Sequence, residues 1–165
     1  MTFTSFAVEG RGKVAKTITR GERLEVSAVR RRVQQSLAAA RARAQERRQQ
    51  SDEAARDYAA FLQNVATPVV QQIANVLKAE GLAFTVFTPG DGLRLTYDRG
   101  RDDFVEFALD TSGDRPQVIG HISQSRGSRR LGEERPIKSD ASPAALTEDD
   151  VLEFVMQALE RWLGR

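Results

Sequence analysis

The sequence contains no cysteine and one histidine, His121. The first absence excludes disulfides, thiolate nucleophiles and every Cys-based zinc or iron–sulfur site. The second leaves His121 without another imidazole to complete a metal site. No run approaches the roughly 20 apolar residues that a membrane-spanning helix requires. The start, MTFTSFAVEGRGKV, lacks the charged-then-apolar order of a secretory signal. A cytoplasmic location, with no membrane contact, no metal and no cofactor, is the expectation.

Charge of one sign is also nearly absent from the total. Twenty-five basic and 23 acidic residues leave a formal net charge of +2, so only the distribution of charge says anything about partners. Glycine and proline are missing from Glu22 to Asn64, and no aromatic residue lies between Phe6 and Tyr58. The first gap permits one long helix. The second means that this segment cannot stack on nucleic-acid bases.

What is present suits one folded domain and an appendage. The 165 residues are 40% hydrophobic and 29% charged, a globular balance with enough apolar material for a core. Residues 1–21 hold Phe3, Phe6, Val8, Val14 and Ile18 among polar residues, with no lasting helical or strand period. They read as a flexible or partner-ordered tail. Phe3 and Phe6 would need a docking site, either on the protein's own core or on a partner.

Residues 22–65 carry Val26, Val29, Val33, Leu37, Ala40 and Ala44, then Tyr58, Leu62 and Val65, in steps mostly of three or four. A continuous helix would measure roughly 60 Å at 1.5 Å per residue. Its middle offers only alanine, which allows close approach but buries little area. Such a thin stripe fits a coiled-coil arm better than a monomer core. Pro68 should then interrupt the helix, with Thr67 capping a second one. That second helix presents Val69, Ile73, Val76 and Leu77 and ends at Gly81.

The period then changes to two. Segments 82–88, 93–98, 103–110 and 117–125 alternate between apolar and polar residues, and PGDG, RGRD and TSGDRP separate them. This spacing predicts an antiparallel meander of four strands. RPIK would supply a short fifth edge strand, and residues 126–135 read as a loop or long hairpin turn. The closing segment has Thr147 and Asp150 at capping-box spacing, an acidic first turn and an apolar face of Val151, Leu152, Val155, Leu159, Trp162 and Leu163. The expected fold is α+β: a long helical arm, then a two-layer domain over 67–165 with helices on one face of the sheet.

No catalytic constellation stands out. His121 sits in a strand beside Ser123 and Ser125 but without a nucleophile elbow. Asp98, Asp102, Asp103, Glu106 and Asp110 fall in turns or on the polar sheet face, where carboxylates serve solvation. The glycines lack phosphate-loop context. The protein is therefore expected not to be an enzyme.

The basic residues are polarised. Residues 20–50 carry nine arginines against three glutamates, +6, and residues 126–138 carry five basic residues against two acidic ones, +3. Residues 147–165 carry five acids against two arginines, −3. On a helix Arg30, Arg41 and Arg48 share a face, and Arg32, Arg43 and Arg47 form a neighbouring stripe. Arg126, Arg129 and Arg130 surround Gly127 as a second candidate anion site.

Two functions follow as expectations. The first is a non-catalytic interaction or assembly module with a protein partner or a second copy. It would use Val26, Val29, Val33 and Leu37 as seam and Phe3 and Phe6 as anchors. The alternative is a nucleic-acid binder that contacts backbone phosphates through the arginines, without reading sequence.

Overall fold

The computed structural model describes residues 25–100 and 102–163, without the side chain of Leu163. The 1–21 tail, with Phe3 and Phe6, lies outside the described residues. The chain divides into two units, Met1–Ala42 and Arg43–Arg165. The division falls inside the first helix, α1 (Val26–Phe61).

Residues 26–42 of α1 form a helix because every residue there favours or tolerates one and no glycine or proline intervenes. None of these residues is buried, and all but Ala28 are classed as exposed.

The second unit contains the core. Ala54, Tyr58 and Phe61 are the buried residues of α1. The expected break at Pro68 does not occur. Leu62–Ala66 instead form a π-helical turn that leads directly into α2 (Thr67–Ala79). Thr67 is itself helical (φ −62°, ψ −48°), and its N–H donates to the carbonyl of Leu62, five residues back. In a regular α-helix the proline ring would press on the carbonyl of Asn64, and its missing N–H would leave that acceptor unpaired. Widening the turn just before Pro68 shifts the hydrogen-bond ladder and lets the helix continue. Thr67 is therefore not an N-cap.

α2 ends in a Schellman motif. Gly81, at φ 80°, donates to the carbonyl of Lys78 (3.1 Å), and Leu82 donates to that of Leu77 (2.8 Å). Five antiparallel strands follow in the spatial order of the sequence: β1 (Phe84–Phe87), β2 (Leu93–Tyr97), β3 (Phe104–Asp110), β4 (Gln117–Arg126) and β5 (Arg129–Pro136). The last is longer than the expected edge strand. Residues expected as a loop pair along β4 as far as Arg126↔Arg129, leaving a two-residue turn of Gly127 and Ser128. Gly127 has φ 60°, at the position where a type II′ hairpin takes glycine. The charged run conceals a strand because most of its side chains stay in water.

α3 (Glu148–Leu163) closes the fold through the expected capping box. Thr147 donates its backbone N–H to Asp150 Oδ2 (2.9 Å), and the Asp150 N–H returns to Thr147 Oγ1 (3.3 Å). One face of the sheet, with Leu93, Leu95, Val105, Phe107, Val118 and Ile122, packs on Val70 and Ile73 of α2 and Val151, Phe154, Val155 and Leu159 of α3. Phe154 meets Phe107 edge-on at 5.7 Å. Gly120 faces the same ring so closely that a Cβ there would come within 2.1 Å of its Cζ. The protein is thus an α+β fold of two layers. Two expected core positions are instead exposed: Val76 by 63% and Leu152 by 43%.

Candidate functional site

In the first unit Val26, Val29, Val33 and Leu37 are exposed by 84, 41, 50 and 51%. Steps of three and four residues place them along one stripe of the helix. Arg30, Arg31, Arg32 and Arg41 are exposed on the same segment. No acidic residue occurs from Val26 to Gln45. In the second unit Arg43, Arg47 and Arg48 are exposed as well.

Of the arginines around Gly127, Arg130 parts from Arg126 and Arg129. Neighbouring residues of β5 point to opposite faces of the sheet, so Arg129 and Arg130 separate. Arg130 turns onto the face away from the helices, where its Nε donates to Ser123 Oγ at 3.0 Å. Its guanidinium lies 5.6 Å from the centre of the Phe104 ring. Arg126 and Arg129 remain exposed and register-paired at the hairpin end.

On that open face the register aligns Phe87, Arg94, Glu106, His121 and Glu134 in one row across all five strands. The charged members pair with their neighbours as cross-strand partners do. Arg94 donates to Glu106 Oε2 from Nε (3.0 Å) and Nη2 (2.5 Å). His121 Nδ1 stands 3.2 Å from Glu134 Oε1. Phe104 occupies the adjacent row, only 7% exposed, under the Arg94 guanidinium at 4.3 Å. Nothing in the sequence signals that two arginines cover Phe104.

Several of the polar groups singled out in the sequence have partners in the fold. Ser123 is fully buried and engaged by Arg130. Asp103 accepts the Ser125 N–H at 2.5 Å, and Asp98 accepts Thr85 Oγ1 at 2.8 Å. Asp110 accepts both the hydroxyl and the N–H of Ser112, which hold its carboxyl below the usual carboxylate range. Among the described residues no three of His, Cys, Asp or Glu gather where they could hold a metal.

Two concavities carry no sequence motif. A cleft of about 840 Å³ lies beside the π-helical turn, lined by Tyr58, Gln63, Thr67, Asp91 and Glu106 among others. Tyr58 donates its hydroxyl to the carbonyl of Phe107 at 2.8 Å. Burial, then the charges of Glu106 and Asp91, push its phenol well above the usual tyrosine value. A groove of about 340 Å³ runs between α2 and α3, over Ile73, Val76, Leu152 and Met156. Its only sequence signal is Val76, Leu152 and Met156 lying at the margin of otherwise buried helical arcs.

No protein-family model matches the chain, nor does any curated protein or solved structure.

Proposed function

We propose that the protein is a non-catalytic interaction or assembly module that acts through the N-terminal part of α1. One observation carries this reading. Four aliphatic side chains, Val26, Val29, Val33 and Leu37, stand 41–84% exposed along a single helical stripe. Scattered exposed hydrophobics are ordinary, but a contiguous stripe is a contact surface in waiting. At about 25 cal/mol per Å² of apolar area, covering such a stripe favours association by several kcal/mol before entropic costs.

The cysteine-free sequence makes the test clean. A photo-crosslinker is attached to Val33→Cys in the stripe and, separately, to Gln35→Cys on the far side of the same helix. The reading expects protein adducts from position 33 and few from position 35. Equal yields from both positions would reject the stripe as a seam.

A second reading has its own support. Residues 26–45 carry five arginines and no acid, and all five are exposed. Phosphate backbones are the natural partner of such a surface. Without an aromatic residue in this stretch, binding would be insensitive to sequence. Fluorescence anisotropy with duplex and single-stranded probes at about 50 mM salt tests it, and no binding to either ends it.

A further inference from the structure

We infer that the groove between α2 and α3 receives the arginine-flanked stripe of a second copy of this chain. The inference rests on the reading of the arm as an interaction element and names its partner surface.

The groove is apolar and open. Val76 is 63% exposed, and Leu152 and Met156 are each 43% exposed, over a floor that includes Ile73. Its rim carries Glu148 and Asp149, and among the described residues no lysine or arginine lines it. These are the complements of the arm, which offers Val29, Val33 and Leu37 for the floor and arginines for the rim. Along the helix axis Val29 to Leu37 spans about 12 Å and Val69 to Val76 about 10 Å, so stripe and groove match in length. Ala40, three residues beyond Leu37 on the same stripe, lets the arm helix approach two other helices closely.

Charge selects this pairing over the obvious rival. If two arms paired in parallel, or antiparallel over residues 26–45 alone, arginines would face arginines, since that stretch contains no acid to alternate with them. Like charges beside an apolar seam disfavour that pairing. Arm into groove sets arginine against Glu148 and Asp149 and covers both exposed apolar surfaces at once.

The test uses the full chain and light scattering coupled to size exclusion over a range of concentrations. Leu37→Glu spoils the arm and Val76→Arg spoils the groove. Both positions are at least half exposed, so the fold should tolerate them. The expected result is a wild-type mass that rises with concentration, each variant alone staying monomeric, and an equimolar mixture recovering association. Recovery follows because the mixture supplies one intact groove and one intact arm.

A wild-type mass fixed at the monomer value overturns the inference. So does a mixture that stays monomeric. If Leu37→Glu is monomeric while Val76→Arg associates normally, the arm reading stands and the groove assignment falls. If neither variant changes the assembled mass, both fall. Far-ultraviolet circular dichroism checks folding, and Leu152→Gln replaces Val76→Arg if that variant unfolds.

Discussion

Single residues show most directly how close packing and local hydrogen bonds fix this fold. Gly120 lies in β4 because the Phe154 ring occupies the space a side chain would need. Gly120→Ala is expected to destabilise the protein by about 1–3 kcal/mol, the usual range for overpacking a filled core. A urea titration should show this as a lower midpoint with an unchanged slope. Asp150 supplies a test through pH. The backbone N–H of Thr147, then contacts with Lys138 and the Thr147 hydroxyl, hold its carboxyl below the usual carboxylate range. A carboxyl depressed in the folded state contributes stability above its unfolded value of about 3.9 and loses that contribution as pH falls through its folded value. Asp110 acts in the same direction. Thermal melts between about pH 6 and pH 2 should therefore show a steep acid limb, and Asp150→Asn should flatten it. An unchanged limb would mean that the capping carboxylate does not titrate with folding.

At the scale of elements, α1 is one helix with two different supports. Its buried residues begin at Ala54, whereas residues 26–42 hold none. Hydrogen exchange under dilute conditions should be fast across 26–42 and much slower across 58–79, since local opening follows buried contact. Protection of 26–42 should rise with protein concentration if the stripe is covered on association. Uniform protection at all concentrations would contradict this. The elements also show what a sequence reveals. The meander was legible because each strand alternates with period two, and α3 because Thr147 and Asp150 announce its start. β5 was legible only as a short edge strand at RPIK, because Arg129, Arg130, Glu133 and Glu134 resemble a solvated loop. The Gly127–Ser128 dipeptide was the local signal for its first half. The continuity from α1 to α2 was also hidden. Pro68 is a helix breaker in isolation, and only the wider turn at Leu62–Ala66 removes the clash.

For the whole molecule the distribution of charge matters more than the total of +2. An assembly that places arginines against Glu148 and Asp149 should weaken as salt rises, because rim charges are screened over about 8–10 Å at physiological ionic strength. Raising sodium chloride from about 0.05 to 0.5 M should lower the association constant several-fold without abolishing it, since the apolar floor is insensitive to screening. Light scattering across that range checks the slope. An association that strengthened steadily with salt would point to apolar contact alone.

Apart from the helical run through Pro68 and the full length of β5, the residue pattern alone carried the element types and the two-layer α+β class. These follow from hydrophobic period, capping residues and turn residues, which act within a few positions of one another. It also determined the stripe at Val26, Val29, Val33 and Leu37, because helical spacing alone puts those residues on one line. Which side chains found cover was settled by the packing of distant elements. Val76 and Leu152 share the period of their buried neighbours yet stand in water, while Phe104 sits on the polar face yet is shielded by Arg94 and Arg130. Burial depends on what arrives from distant parts of the chain. The groove at Val76, Leu152 and Met156 exists only because α2 and α3, far apart in sequence, meet on the same sheet.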